Sequence, residues 1–332
     1  MRFSLRFNND LPVSAYPPLA QAAERAGFDQ FWVSDDLFLR SVWIILAAMA
    51  QATTRIQVGT CIVNPYTMHP AEMAMAAGAL DELSGGRFCL GISSGASDFL
   101  NWIGTFPTQP VTAVAETVNA LRSLFGGERV TAEGHFLTRW TEQAYLRFPT
   151  RQIPIYIGAM SPAMLRTIGR IADGGLPLLF PPEHFATAMG FIREGLDQAE
   201  RSVNDVDVAA CIWCSVSAVR QAAEDVLKDK IAYYGHALSP LILQQLGVDR
   251  REFEPIERAI MVERDVPKAR SLVSQKMLRI GIVGTAQDLI PRLEALVDMG
   301  ARHLSFGPPL GPDPLAAIEI LGKEVLPRFR GA

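Results

Sequence analysis

Short apolar runs alternate along the chain with longer segments in which apolar residues recur every three or four positions. The first pattern predicts buried strands, and the second predicts amphipathic helices. The predicted strands are Arg2–Phe7, Phe28–Val33, Ile56–Val63, Arg87–Ile92, Ile153–Ile157, Gly174–Leu179, Val206–Val216 and His303–Phe306. The predicted helices of the first half are Pro17–Ala26, Val42–Gln51, Ala71–Leu83 and Val111–Phe125. This alternation is typical of βαβ units around a parallel sheet, either a barrel or a doubly wound sheet.

Two segments depart from the alternation. The residues near 131–150 are short apolar pairs separated by polar residues, which favours a β-hairpin insertion. The residues near 218–276 are mostly helical, rich in charge and far longer than an ordinary connection. Because the chain has neither tandem repeats nor a linker rich in Pro, Gly and Ser, we expect one domain spanning residues 1–332.

Composition indicates a globular protein without an affinity for polyanions. Of the 332 residues, 49% are hydrophobic and 20% are charged, and the formal net charge is −4 with no block of Lys or Arg. We therefore expect neither nucleic acid nor a membrane surface as a partner. The longest apolar run, Val42–Ala50, is too short to cross a bilayer, and Met1–Phe7 resembles a strand more than a signal peptide. These features predict a cytoplasmic protein.

Cysteine and histidine usage gives no sign of a metal site. The four cysteines are too few for a disulfide framework and suit a reducing compartment. Cys211 and Cys214 form a C-x-x-C sequence, but they lie in a predicted strand, where residues three apart point to opposite faces. His135, His184, His236 and His303 are scattered without ligand spacing. We predict core packing for the cysteine pair and no bound metal.

Polar or small residues follow several of the predicted strands. Functional residues of a parallel barrel lie on the loops that leave the carboxyl ends of its strands. In order along the chain these loops are Ser34–Asp36, Cys61–Pro70, Ser93–Ser97 and Gly158–Pro162. They contain no G-x-S-x-G sequence and no Walker A loop, which argues against a hydrolase or a kinase.

Several segments, in order along nearly the whole chain, resemble the bacterial-luciferase-like superfamily and, within it, the methylenetetrahydromethanopterin reductase branch. They are Gly27–Trp32, Val58–Pro70, Gly85–Ile92, Tyr156–Ala159 followed by Ile171–Gly174, and Val283–Thr285. The Asn-Pro-Tyr-Thr-Met-His-Pro sequence, residues 64 to 70, is the most specific of them. The resemblance implies an α/β fold of the (β/α)8 TIM-barrel type, an oxidoreductase activity and, as in relatives, a homodimer.

The resemblance also implies which residues contact a flavin-like cofactor. In the family a non-prolyl cis peptide ends the third strand against the ring, and the matching bond here is Cys61-Ile62. The small residues from Gly158 to Ser161 precede a predicted helix whose first N–H groups would favour a phosphate. The turn Gly307–Gly311 is the alternative phosphate site, but we interpret it as a turn. The predicted cofactor-binding residues are Asp35, Cys61, Ile62, Asn64, Ser93, Ser94, Gly95, Gly158, Ala159 and Met160.

Asp36 and His69 are the candidate acid–base residues. Many relatives carry histidine where Asp36 stands, so a histidine-type role is in doubt at that position. A carboxyl group could replace the imidazole only if burial raised its pKa. The adjacent Asp35 and Asp36 should diverge, unlike a pair that shares one proton. His69 precedes Pro70, and packing at a helix start is the alternative to proton transfer.

Three functions fit these features. The first is an oxidoreductase that uses coenzyme F420, a 5-deazaflavin, to transfer a hydride to or from a small organic substrate. Such an enzyme needs few catalytic side chains, because the cofactor carries the hydride. The second is an FMN-dependent monooxygenase on the same fold, and the third is a non-catalytic relative. The sequence does not identify the substrate.

Overall fold

The structure is a computed structural model that describes residues 1–235, 238 and 240–330. His236, one of the scattered histidines, and part of the predicted helical insertion lie outside the described residues. The chain divides into two compact units. The larger unit contains Ser4–Pro177 and Thr187–Ala209, and the smaller unit contains Met1–Phe3, Leu178–Ala186 and Ala210–Ala332. The single-domain organisation stays a prediction.

The strands form a closed barrel, which confirms the predicted TIM-barrel class. The strands are β1 (Arg2–Phe7), β2 (Gln30–Val33), β3 (Gln57–Thr60), β4 (Phe88–Ile92), β5 (Ile155–Ala159), β6 (Gly174–Leu179), β7 (Asp207–Ile212), β8 (Cys214–Val216), β9 (Ile282–Gly284) and β10 (His303–Phe306). The barrel order is β1-β10-β7-β6-β5-β4-β3-β2. The register is parallel from β1 to β6 through β2, β3, β4 and β5, as short strands joined by helices require.

Helices follow the strands along the chain. They are α1 (Tyr16–Ala26), α2 (Val42–Ala52), α3 (Pro70–Ser84), α4 (Ser97–Trp102), α5 (Pro110–Phe125), α6 (Pro162–Ile171), α7 (Phe185–Gln198), α8 (Arg220–Tyr234), α9 (Pro240–Leu246), α10 (Glu254–Glu257), α11 (Val266–Leu272), α12 (Ala286–Asp298), α13 (Pro314–Ile320) and α14 (Leu326–Phe329). Their ends agree with the sequence signals. Gly27 ends α1 with a φ of 91°, and the Ser161 hydroxyl accepts a hydrogen bond from the N–H of Met164 at the start of α6.

Polar side chains of the larger unit form a buried hydrogen-bonded chain. Trp32 donates through Nε1 to Gln30 Oε1 at 3.2 Å, and Gln30 donates through Nε2 to the Tyr156 hydroxyl at 3.1 Å. The Tyr156 hydroxyl donates in turn to Asp207 Oδ2 at 2.8 Å. The indole of Trp32 needs Gly59 on the neighbouring strand, because a Cβ there would lie 2.3 Å from the ring. These bonds satisfy polar groups that would otherwise be costly to bury.

The sequence interpretation of Val206–Val216 as one strand is wrong. In the smaller unit, β8 pairs in parallel with β9, a strand that the sequence reading missed. Trp213 separates β7 from β8, and its carbonyl oxygen accepts the Ile282 N–H at 2.8 Å. Its ring packs on Phe180, with centroids 4.5 Å apart. Strand β7 therefore ends before Trp213, whose large side chain packs on another connection of the chain. Cys211 and Cys214 are buried, one in each strand.

The two predicted insertions have different contents. Residues 131–150 are all described and contain one antiparallel bridge, Ala132 to Trp140, in place of paired strands. Helices α8 to α11 lie within residues 218–276, where their buried apolar side chains form one cluster with Trp213 and Phe180 of the same unit.

Two features of the described residues bear on the predicted partners. No helix in the described ranges is long and apolar enough to cross a membrane. Within the same ranges, no group of three or more His, Cys, Asp or Glu side chains is arranged to hold a metal ion.

Candidate cofactor and active site

The loop after β2 carries both candidate carboxylates of the larger unit. Asp35 and Asp36 are half-buried. The Asp35 carboxyl accepts a hydrogen bond from the N–H of Val42, at the start of α2. Burial, and after it the adjacent negative charge of Asp36, raise the pKa of Asp35 to about 6 against the lowering effect of the Val42 N–H. A carboxyl group that titrates near neutrality can carry a proton in the pH range of most enzymes.

Asn9, two residues after β1, fixes this loop. Its side chain is 1% exposed and donates through Nδ2 to the carbonyl oxygens of Asp36 at 3.1 Å and Arg40 at 2.7 Å. Its Oδ1 accepts from the Ser34 hydroxyl and from the Asp36 N–H, both at 3.2 Å. The sequence reading missed Asn9 because it did not consider the loop after β1. The polar run Asn8-Asn9-Asp10 at a strand end is the signal that could have found it.

The end of β3 has the backbone that the family resemblance predicted. The Cys61-Ile62 peptide bond is cis, which confirms that prediction. The Cys61 N–H donates to the carbonyl oxygen of Val33 at 2.7 Å, so the residue still follows the ladder between β2 and β3. Cys61 and Ile62 are half-buried at this end of the larger unit.

Ile62, Ser93 and Gly158 meet at the carboxyl ends of three neighbouring strands. The Ser93 hydroxyl donates to the carbonyl oxygen of Gly158 at 2.7 Å. A Cβ on Gly158 would lie 2.9 Å from Ile62 Cγ2 and 3.4 Å from Ser93 Cβ. Glycine is therefore required for this close approach of β5 to the chain after β3. The structure thus brings three of the predicted cofactor-binding residues into contact.

Asn64 and Gly95 form a second contact between the loops after β3 and β4. Asn64 is buried, and its Oδ1 accepts from the N–H groups of Tyr66 and Thr67, both at 3.1 Å. Gly95 has a φ of 75°, and a Cβ there would lie 3.2 Å from Asn64 Nδ2. Asn64 therefore shapes its own loop with the oxygen and leaves its amide nitrogen directed toward the next loop. Ser94, between Ser93 and Gly95, is half-buried.

Ala159 and Met160 lead from β5 into α6. Ala159 is buried, whereas Met160 is 52% exposed. The Ser161 hydroxyl is occupied by the Met164 N–H, at 3.3 Å. In the first turn of α6, Pro162 has no N–H and the Met164 N–H is bonded to Ser161. The N–H of Ala163, which follows Pro162, is the one that remains.

His69 lies at the start of α3, the alternative that the sequence left open. Its ring is exposed, and Nδ1 accepts the Ala71 N–H at 3.2 Å. The ring stacks on Trp140, with centroids 5.6 Å apart and planes 25° apart. Tyr66 of the same loop packs on Phe136, with centroids 5.5 Å apart. The segment after α5 thus covers this loop with aromatic rings, a role that its sequence did not indicate.

Comparison with known proteins identifies the class. Residues 11–303 match the family model of the luciferase-like monooxygenases, so the chain belongs to that family. A 5,10-methylenetetrahydromethanopterin reductase of Methanolobus tindarius is 32% identical over 98% of this chain and 100% of the relative. An F420-dependent glucose-6-phosphate dehydrogenase of Nakamurella multipartita is 30% identical over 94% of this chain and 91% of the relative.

One solved structure extends the likeness to the whole fold. The coenzyme F420-dependent tetrahydromethanopterin reductase of Methanopyrus kandleri has a TM-score of 0.93 and 30% identity, covering 99% of each chain. The resemblance stated from the sequence is therefore confirmed, both for the family and for a branch whose named members are F420-dependent oxidoreductases.

Proposed function

We propose that this chain is an F420-dependent oxidoreductase that transfers a hydride between the 5-deazaflavin and a small organic substrate. The observation that carries the proposal is the contact of Ile62, Ser93 and Gly158 at three strand ends. It supports a cofactor site in which small and apolar groups form a surface for a flat ring. The full-length likeness to F420-dependent relatives supports the choice of cofactor.

The side chains around this surface suit a deazaflavin. Flavin-like rings combine apolar faces with an edge of carbonyl and N–H groups, so they need an apolar surface and a few polar partners. Ile62 and Gly158 supply the apolar surface. Ser94, the amide nitrogen of Asn64 and Asp35 supply the polar partners. Cys61, Ser93, Gly95 and Ala159 complete the set by shaping the backbone. When bound, the deazaflavin supplies a hydride from one ring carbon, and the protein orients the partners and excludes water.

The phosphate of the cofactor's side chain would lie beside Met160, at the start of α6. The positive end of the helix dipole and the N–H of Ala163 favour an anion there. Small residues before the helix, Gly158 and Ala159, let the phosphate approach the backbone.

We assign proton transfer to the Asp35–Asp36 pair. Asp36 stands where many relatives have histidine, and burial raises the pKa of its half-buried neighbour Asp35 to about 6. His69 stays a weaker prediction, since its Nδ1 is occupied by the Ala71 N–H and only Nε2 remains for a ligand.

Binding measurements test the proposed function. The purified chain, free of cofactor, is titrated separately with F420 and with FMN while cofactor fluorescence is followed. We expect saturable quenching by F420 at micromolar concentrations or below. Saturation by FMN with no response to F420 would favour the monooxygenase, and failure of both at tens of micromolar would favour a non-catalytic relative.

We also propose that two copies associate through the outward side of α2. This helix has no charged residue, and Ile44 on its outer face is 60% exposed beside Ala47 and Ala48. Met75 on the adjacent α3 is 51% exposed. Exposed apolar side chains grouped on neighbouring helices are a feature of interfaces between protein copies. We expect a dimer by analytical ultracentrifugation and a monomer for Ile44→Glu, with Val262→Glu, at a still more exposed apolar residue, as control. A monomeric parent protein would contradict this.

We further propose a cytoplasmic location. Cys89, Cys211 and Cys214 are buried thiols, as is usual in a reducing compartment. Cell fractionation of the source organism tests this, and recovery outside the cytoplasm would contradict it.

A further inference from the structure

The loop from Ser34 to Arg40 is attached at both ends to one residue, Asn9. Near its start, Ser34 donates from its hydroxyl to Asn9 Oδ1 and accepts the Asn9 N–H at 3.3 Å. At its far end, the Arg40 carbonyl oxygen accepts from Asn9 Nδ2 at 2.7 Å, and the Arg40 N–H donates to the Asn9 carbonyl oxygen at 3.2 Å. Between these ends Asp36 contacts the same amide with both its N–H and its carbonyl oxygen.

The backbone of this loop needs such support. Phe38 has a φ of 65°, in the left-handed region that a bulky residue avoids, and its side chain is 75% exposed. A bulky residue in that region is strained, so surrounding contacts must enforce the conformation. The hydrogen bonds of Asn9 lie on both sides of Phe38 along the chain. They are therefore well placed to enforce the conformation.

We propose that Asn9 is a positioning residue, whose buried amide holds the Ser34–Arg40 loop so that the carboxyl of Asp35 stays out of water beside Asp36 and serves as the proton donor of the site. The assignment of a proton donor rests on the proposed function, whereas the placement of the loop does not. Asn9 itself is expected to touch neither cofactor nor substrate, because its side chain is buried and fully engaged with the loop.

Several charged and titratable groups lie near Asp35. Asp36 is the charged group next to Asp35, and the N–H of Val42 from α2 acts on the Asp35 carboxyl in the opposite sense. Asp10 and Arg40 are the remaining charged residues on the two loops, and Tyr16 of α1 lies behind them with its hydroxyl on the Asn8 carbonyl oxygen. Arg40 is engaged with the Asp10 carbonyl oxygen. Burial and the neighbouring carboxylate raise the pKa of Asp35, so its protonated form persists to higher pH than that of an ordinary aspartate.

The proton then has a defined path. A substrate C=O or C=N bond that takes a hydride at carbon gains an electron pair on its oxygen or nitrogen. That atom takes the proton of Asp35, which is left as a carboxylate and regains a proton from water. The reductant is a reduced 5-deazaflavin, which loses two electrons as the hydride.

The test measures Asp35 directly, without cofactor or substrate. Aspartate carboxyl carbons labelled with ¹³C are followed by NMR through a pH titration, and Asp35→Asn identifies the signal. In the parent protein and in the control Asn8→Ala, we expect the Asp35 signal to titrate near pH 6. In Asn9→Ala, water reaches the loop, and the midpoint should fall by about one pH unit or more. An unchanged midpoint in Asn9→Ala would overturn the proposal.

A second variant and a kinetic measurement complete the test. If Asn9→Ala does not fold, Asn9→Ser replaces it; the shorter serine side chain cannot bond both the Ser34 and the Arg40 ends of the loop as the amide does, so an unchanged midpoint there overturns the proposal equally. In F420-dependent turnover, the high-pH limb of kcat should move with the NMR midpoint while KM changes less than twofold. A shifted midpoint in a protein that does not bind F420 would support the loop placement and reject only the proposed function.

Discussion

The hydroxyl of Ser93 and the carbonyl oxygen of Gly158 are joined by a 2.7 Å hydrogen bond. This bond connects the first residue after β4 with the carboxyl end of β5, and Ile62 packs against the same glycine. Backbone and side chain therefore fix the spacing of three strand ends at the place proposed for the cofactor ring. A change of one methyl group at this place should be measurable.

Gly158→Ala should weaken cofactor binding. The new Cβ would lie 2.9 Å from Ile62 Cγ2, and the branched side chain has little freedom to move away. Overpacking of this kind costs about 1 to 3 kcal/mol, so we expect a rise of about tenfold or more in the F420 dissociation constant. The matched control is Gly190→Ala in α7, where an added Cβ meets nothing within 4 Å. Equal affinities of the two variants would contradict the proposed location.

Arg87→Lys should destabilise the barrel and leave cofactor affinity unchanged. The Arg87 guanidinium donates to the carbonyl oxygens of Ser84, Ile56, Ala50 and Thr53, at 2.8, 2.8, 2.7 and 3.1 Å. A lysine ammonium cannot reach acceptors spread around a planar fork. We expect the free energy of unfolding in urea to fall by about 2 to 4 kcal/mol. Arg302→Lys, at an exposed arginine, is the control, and a similarly small loss in both would refute this role.

The sequence predicted the parts of the fold that depend on local pattern. The eight barrel strands follow from apolar runs, and the start of α6 follows from Ser161 and Pro162. The Cys61-Ile62 bond came from family resemblance, because composition gives no information on a peptide isomer. The same resemblance included Arg87, whose contacts show it to be a stabilising residue at the amino end of β4.

Contacts between distant residues could not be predicted in this way. Asn9 and Arg40 are 31 positions apart, and no local pattern indicates that the side-chain amide of Asn9 bonds to the loop that ends at Arg40. The ring of Trp140 on His69 likewise joins two loops that the sequence treats separately. The break at Trp213 depends on Phe180, a residue from another connection. Such contacts arise from tertiary packing, which overrides the strand preference of the local sequence.

Glu24→Gln should remove an acid-dependent part of the stability. The Glu24 Oε2 atom accepts the N–H groups of Thr54, Arg55 and Ile56 at 3.0, 2.6 and 2.9 Å. Partial burial acts to raise the pKa of Glu24, but these donors outweigh it and lower the pKa to about 2. The stabilisation is therefore complete above the ordinary pKa and is lost as the pH falls toward 2.

Urea unfolding at several pH values measures this effect. At pH 7 we expect Glu24→Gln to be less stable than the parent protein by about 1 kcal/mol, a small value because water screens a partly exposed carboxylate. The difference should shrink as the pH is lowered from about 4.5. Glu82→Gln, at an exposed position of α3, is the control. A difference between Glu24→Gln and the parent protein that stays constant down to pH 3 would show that the carboxylate charge is not responsible.

Asp35→Asn should stabilise the protein at neutral pH, which is the opposite effect. Burial raises the pKa of Asp35 to about 6, so the folded chain binds more protons than the unfolded chain between about pH 4 and pH 6. The stability contributed by the protonated carboxyl is therefore present at low pH and is lost as the pH rises through 6.

At pH 7.5 the asparagine variant, which carries no charge, should exceed the parent protein by about 1 to 3 kcal/mol in free energy of unfolding. The two should converge below about pH 4. Asp10→Asn, at the exposed position after Asn9, is the control, and an Asp35→Asn variant that is no more stable than the parent protein at pH 7.5 would mean that Asp35 is not held out of water.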